Sequence, residues 1–232
     1  MHTSSNKIQH ILAATFLTFA LSGAAVAQTS TAAPAPAPIV EGQDYQVLKT
    51  AQPTEEVGKI EVTEFFSYGC PHCYHFEPML NAWMKTLPTD VVVRRVPISF
   101  NPHFATVQRL YYALDALGIE KDLHSKVFDA IHKDNVDLYS VEGMVGFMEK
   151  QGVSREKFMA AYNAFGVQAK LNRADQMTRL YQIMGVPTLA VDGRYITSAH
   201  SLEGNITVAN ALITKVREQR APVKPAAAGA KK

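Results

Sequence analysis

The stretch EFFSYGCPHCYHFEP, Glu64 to Pro78, holds both cysteines of a 232-residue chain, Cys70 and Cys73. Just ahead of them, IEVTEFF (Ile60 to Phe66) reads as a strand, whose side chains alternate between two faces. Ile60, Val62 and Phe66 fall on one face, and Glu64 shares it, an anomalous place for an acid. From Pro71 onward, Phe76, Met79, Leu80, Trp83 and Leu87 recur at helical spacing, and Pro78 inside that run predicts a kink. The two thiols therefore stand where a strand hands over to a helix.

Four uses of such a pair can be weighed. A structural disulfide between Cys70 and Cys73 would close almost no loop and would restrict the unfolded chain little. A structural zinc site normally draws four ligands from two separated knuckles. Here Cys70, His72, Cys73 and His75 are adjacent and no second pair exists. Idle thiols would not stay reduced in an oxidising compartment. The remaining use is dithiol–disulfide exchange, in which a nucleophilic thiolate needs a second thiol close by to resolve the mixed disulfide. A Cys-x-x-Cys opening a helix after a strand supplies that arrangement. Cys70 would lie at the helix N-terminus, where N–H groups and the helix dipole favour negative charge. His72 would add to that preference. A stabilised thiolate favours the reduced state, so the protein gives its disulfide away, and Cys73 serves as the resolving thiol.

The ends of the chain speak to the compartment. After Lys7, an apolar run from Ile11 to Ala27 closes on Ala25-Val26-Ala27, the small-x-small pattern of a cleaved signal peptide over residues 1–27. No cysteine lies near the cut, which argues against a lipid anchor. Export implies an oxidising destination. Residues 28–43 are an Ala/Pro-rich linker, and residues 221–232 a disordered tail of similar texture. Removing residues 1–27 takes one lysine and no acid, leaving 22 basic residues against 21 acidic. Such scattered, balanced charge is no footprint for nucleic acid.

Between the ends the order reads β-α-β, a block of helices, then β-β-α. DVVVRRVPI (Asp90 to Ile98) is a strand stopped by Pro97. Helices are predicted near 104–117, 121–132, 141–150, 155–164 and 167–184, with Ser154 capping the fourth. Strands 188–191 and 194–196 flank Asp192-Gly193, a hairpin turn signal, and a last helix covers about 206–217. This is an α/β fold with an inserted all-helical domain: residues 44–101 and 185–220 form a discontinuous α/β unit, and 102–184 the insert.

EFFSYGCPHCYHFEP followed by GVPTLAVDGRY resembles the DsbA family of periplasmic thiol:disulfide oxidoreductases of Gram-negative bacteria. The likeness runs from about Asp44 to Arg220. It implies a thioredoxin fold interrupted by a helical domain, and a cis Val186-Pro187 bond presenting backbone groups to the substrate. It implies that Pro71 and His72 tune the cysteines and that Glu64 is the family's buried acid. It gives Glu77 a place near the site, where a surface role is an equal alternative. It further implies a periplasmic location and a monomer with no bound cofactor or metal. The expected partners are unfolded exported proteins with free thiols and a DsbB-type membrane quinone oxidoreductase. Two rivals stay open: an isomerase or reductase using the same chemistry, and a chaperone-like binder of unfolded chains. His75 adds a second imidazole whose effect is undefined.

Overall fold

A computed structural model describes residues 38–221. The expected signal peptide, most of the linker and all but the first residue of the tail lie outside these residues. Seven helices and five strands follow in the order β1 (Tyr45–Val47), β2 (Ile60–Phe66), α1 (Pro71–Met84), β3 (Val91–Pro97), α2 (Pro102–Ala116), α3 (Glu120–His132), α4 (Val141–Lys150), α5 (Arg155–Tyr162), α6 (Phe165–Leu180), β4 (Thr188–Val191), β5 (Tyr195–Thr197) and α7 (Leu202–Arg220). The strands form one mixed sheet in the order β1-β5-β4-β2-β3. β2 runs parallel to β3 and antiparallel to β4, and β1 and β4 both pair antiparallel with β5. No helix among the described residues is long and apolar enough to cross a membrane.

The sheet separates two cores. Ile60, Val62, Leu189 and Val191 pack with Phe76, Leu80 and Trp83 of α1 and with Val208, Leu212 and Ile213 of α7. Phe65, Phe66, Val96 and Ala190 pack instead with α2–α6, through residues such as Leu110, Leu114, Phe128, Met144 and Phe158. Every residue of β2 is buried, the signature of a central strand covered on both faces. The simple alternation expected for β2 therefore fails at its end. Phe66 leaves the face of Ile60 and Val62 and joins the core of the helical block.

Local chemistry accounts for most element boundaries. The Oγ of Ser154 accepts from Lys157 N, as the sequence suggests, and Ser140 and Ser201 cap α4 and α7 in the same way. α5 and α6 end earlier than their apolar periods suggest, at Tyr162 and Leu180. α7 gains a turn at its start because Ser201 offers a cap. α1 continues through Pro78, which sits on its exposed side. Pro97 lies within β3, and the next residue restores the ladder through Ile98 N–H to Phe66 C=O, 2.8 Å. Strand β1, unread in the sequence, is only three residues long. It exists because β5 offers an open edge.

The turn between β4 and β5 places both Asp192 (φ 56°) and Gly193 (φ 64°) in the left-handed region, which the Asp-Gly pair accommodates. A Cβ on Gly193 would lie 2.0 Å from the Gln52 carbonyl oxygen, so no other residue fits there.

Candidate active site

β2 delivers the chain to Cys70, and Pro71 at the first helical position starts α1 without needing an N–H partner. Cys70 is the N-cap residue, extended at φ −92°, ψ 116°. Its own N–H donates to Ser67 C=O at 3.0 Å, and its carbonyl accepts from Tyr74 N–H at 3.1 Å. Both cysteines are in the dithiol form, with Cys70 partly exposed and Cys73 buried. Facing Cys70 is the loop before β4, where Val186-Pro187 is cis. The Cys70 Sγ lies 3.5 Å from the Val186 carbonyl oxygen.

The two thiols are driven apart in acidity. The Cys70 thiol is lowered to about 6, first by a hydrogen bond from Cys73, against the opposing effect of burial. The backbone N–H groups of Cys73 and His72 add to the lowering, and the His72 charge comes last. His72 therefore contributes more through its backbone than through its ring. Its side chain, like that of Pro71 and of His75, is exposed. Cys73 is pushed well up, first by burial, then by its bond to Cys70 and by negative charge at Cys70 and Glu64.

Beneath the pair lies a buried ion network. Glu64 and Arg95 are register partners across the parallel β2–β3 ladder. Arg95 Nε donates to Glu64 Oε2 and its Nη2 to Glu77 Oε2, each at 3.1 Å, and Nη2 reaches Asn81 Oδ1 at 2.8 Å. Glu77 Oε1 accepts from Asn81 Nδ2 at 2.7 Å and from Ser125 Oγ at 3.0 Å. Glu77 thus has no surface role: it is 4% exposed. Burial would raise its carboxyl, but His124, Arg95 and Asn81 together hold it down at about 2. Glu64 is raised to about 7, chiefly by burial, with Glu77 opposing the help from Arg95. One guanidinium does not neutralise both acids.

Sequence reasoning missed Arg95, Tyr68, His124 and His132. The pair Arg94-Arg95 inside an apolar strand was a signal, but its partner depended on register. Tyr68, two residues before Cys70, donates its hydroxyl toward His124 Nδ1 at 2.8 Å. Its carbonyl accepts from His132 Nε2 at 2.7 Å. The His132 ring stacks on Tyr74, 5.0 Å between centroids. Among the described residues no cluster of three His, Cys, Asp or Glu side chains could hold a metal ion.

A thiol of lowered pKa opening a helix, with a buried partner thiol three residues on and a proline loop facing it, defines a thiol:disulfide oxidoreductase of thioredoxin fold. Residues 61–210 match the DSBA-like thioredoxin domain family. The chain is 40% identical over 201 residues to the thiol:disulfide interchange protein DsbA of Burkholderia cepacia, covering 85% of this chain and 92% of that protein. It is 42% identical over 185 residues to that of Azotobacter vinelandii, covering 78% and 86%. The crystal structure of Pseudomonas aeruginosa DsbA superposes with TM-score 0.74 at 38% identity, covering 78% of this chain and 96% of that one. This chain belongs to the DsbA family, within the thioredoxin-fold oxidoreductases.

The reduced protein is expected to show a thiolate titration near pH 6 by ultraviolet absorbance, absent in Cys70→Ser. A lowered pKa contributes stability to the folded dithiol form above the unfolded-state value near 9, and that stability is lost as pH falls through 6. After discounting for a half-exposed sulfur, the reduced form should gain about 2 kcal/mol over the oxidised form between these limits. Denaturant unfolding of both forms across that range checks it; parallel curves would refute the lowered thiol.

Proposed function

We propose that the oxidised protein donates its Cys70–Cys73 disulfide to newly exported, unfolded proteins with free thiols in the periplasm. A substrate thiolate attacks Cys70 Sγ and breaks the Cys70–Cys73 bond, releasing Cys73 as thiolate, which takes up a proton. A second substrate thiolate then attacks the substrate sulfur of the mixed disulfide. The substrate leaves oxidised, with Cys70 as the departing thiolate. Two electrons pass to the protein. A DsbB-type membrane quinone oxidoreductase, with the quinone as acceptor, removes them again.

The observation that carries this reading is the opposed acidity of the two thiols. A Cys70 thiolate near pKa 6 leaves readily and stabilises the reduced form. At pH 7, after the same discount for a half-exposed sulfur, this is worth about half a pKa unit, or roughly 15 mV toward the oxidising side, and more as pH rises toward 9. The roles of the remaining residues follow. Pro71 starts the helix that brings the His72 and Cys73 N–H groups to Cys70, and His72 adds its charge. Glu64 exchanges a proton with Cys73 as the latter changes state. Glu77, with Arg95, sets the charge beneath the pair. Val186 and Pro187 present backbone to the substrate peptide, and Met184 beside them, 92% exposed, offers an apolar contact. Residues 44–101 and 185–220 act as the thioredoxin-like unit and 102–184 as the helical insert. The protein works as a monomer without a resident cofactor.

Equilibration in graded glutathione redox buffers tests this. A donor stays in the dithiol form even in fairly oxidising buffer. A disulfide that persists until the buffer is strongly reducing would overturn the donor reading and favour a reductase.

A further inference from the structure

The ring of His124 is 2% exposed and packed edge-on against Phe66 and Phe128. A buried imidazole in an apolar shell requires partners. Those around it come from one loop and four elements. Tyr68, on the loop leading to Cys70, meets Nδ1. Glu77 of α1 places Oε2 3.3 Å from Nε2. Glu120 of α3 places Oε1 3.5 Å from Nδ1. Tyr111 of α2 lies edge-on, 6.0 Å between ring centroids. Arg95 of β3 reaches the ring's surroundings through its bond to Glu77.

The arrangement has a partner ready for each protonation state. In the neutral ring, Nδ1 accepts from the Tyr68 hydroxyl, and Nε2 lies 3.3 Å from Glu77 Oε2 without a hydrogen bond of its own. In the cation, Nδ1 also carries hydrogen, and Glu120 stands beside it as acceptor. Burial lowers the ring's affinity for a proton and the Arg95 charge lowers it further, while Glu77 raises it, and the ring ends below the ordinary imidazole value. The ring also touches both sides of the site, because Tyr68 leads into Cys70 and Glu77 shares Arg95 with Glu64.

We propose that His124 is a positioning residue through which the helical block sets the proton balance of the ion network beneath Cys70 and Cys73. Its protonation favours the reduced pair. The exchange with glutathione balances as protein disulfide plus two glutathione thiols giving glutathione disulfide, Cys73 thiol, Cys70 thiolate and one released proton. The new negative charge at Cys70 raises the proton affinity of His124, and by linkage a protonated His124 favours the charge. The inference rests on the disulfide-exchange reading of the site.

The test compares the glutathione equilibrium of the native protein and His124→Gln from pH 6 to pH 8, with thermal unfolding as control. Gln keeps a donor and an acceptor but does not titrate. At pH 8 the two constants should agree closely, and at pH 6 the variant should favour its disulfide by about two- to threefold relative to the native protein. Superimposable pH profiles from a folded variant would overturn the proposal. Imidazole NMR titration of the native protein gives a second reading that requires no variant. The His124 midpoint should lie higher in the reduced than in the oxidised form, and equal midpoints would overturn the proposal. A native protein with a strongly reducing equilibrium would sink the donor reading alone, leaving the comparison at His124 intact.

Discussion

Cys70→Ser protein should transfer no disulfides to a reduced, unfolded substrate, with activity lost by at least about a thousandfold, while folding normally. The sulfur at position 70 is the only partly exposed one, and the only one whose pKa falls low enough for it to serve as a leaving group near neutral pH. A hydroxyl of the same size keeps the N-cap geometry but neither forms nor breaks an S–S bond. The companion Cys73→Ser has a different expected result. Its Cys70 can still form a mixed disulfide, but the buried resolving thiol is gone, so the covalent complex with substrate should accumulate. Non-reducing gel electrophoresis after mixing with a disulfide-bearing peptide, whose S–S bond the Cys70 thiolate breaks with release of one peptide thiolate, separates the two outcomes. Adducts formed equally by both variants would show that Cys70 is not the reacting sulfur. Holdase activity retained by Cys70→Ser with no loss in exchange would favour the chaperone-like rival.

Arg95→Met should cost about 3–5 kcal/mol of stability at neutral pH, the largest loss expected from a residue outside the cysteine pair. The guanidinium is the shared donor to Glu64 and Glu77, and both acids are almost wholly buried. Removing it leaves Glu77 with Asn81, Ser125 and His124, and leaves Glu64 with no cation. For a domain of this size the midpoint of thermal unfolding should drop by about 10 °C. Adding Glu64→Gln should restore much of the loss, because Glu64 is the acid that burial already raises to about 7. A raised carboxyl contributes stability at low pH that is lost as pH rises through 7, so the single variant should suffer least in acid. Scanning calorimetry at pH 5 and pH 8 decides this. An Arg95→Met protein as stable as the native one at pH 8 would mean that the network is not buried as described.

Much of this protein could be read from one dimension. The strand–Cys-Pro-His-Cys–helix order, the Asp192-Gly193 turn and the capping serine of α5 are local signals. Each depends on residues a few positions apart, and each element appeared where its signal stood. The acid in β2 was visible as an anomaly because period-two alternation placed it on an apolar face. Its meaning was not visible. Register is decided by pairing between distant segments, so only the folded sheet could set Arg95, rather than Arg94, opposite Glu64. Glu77 stood in a helix whose exposed and buried sides both carry polar residues, and only packing of α3 against α1 showed it to be buried. Tyr68 and the two histidines of α3 are ordinary residues in sequence, 56 and 64 positions apart in chain. They meet because the helical block folds back over the loop before Cys70. The sequence by itself determined the reactive pair and the elements that carry it, because helix starts, turns and thiol spacing are local chemistry. The tertiary structure alone decided the charge beneath that pair, because desolvation and ion pairing depend on which distant groups are brought together out of water.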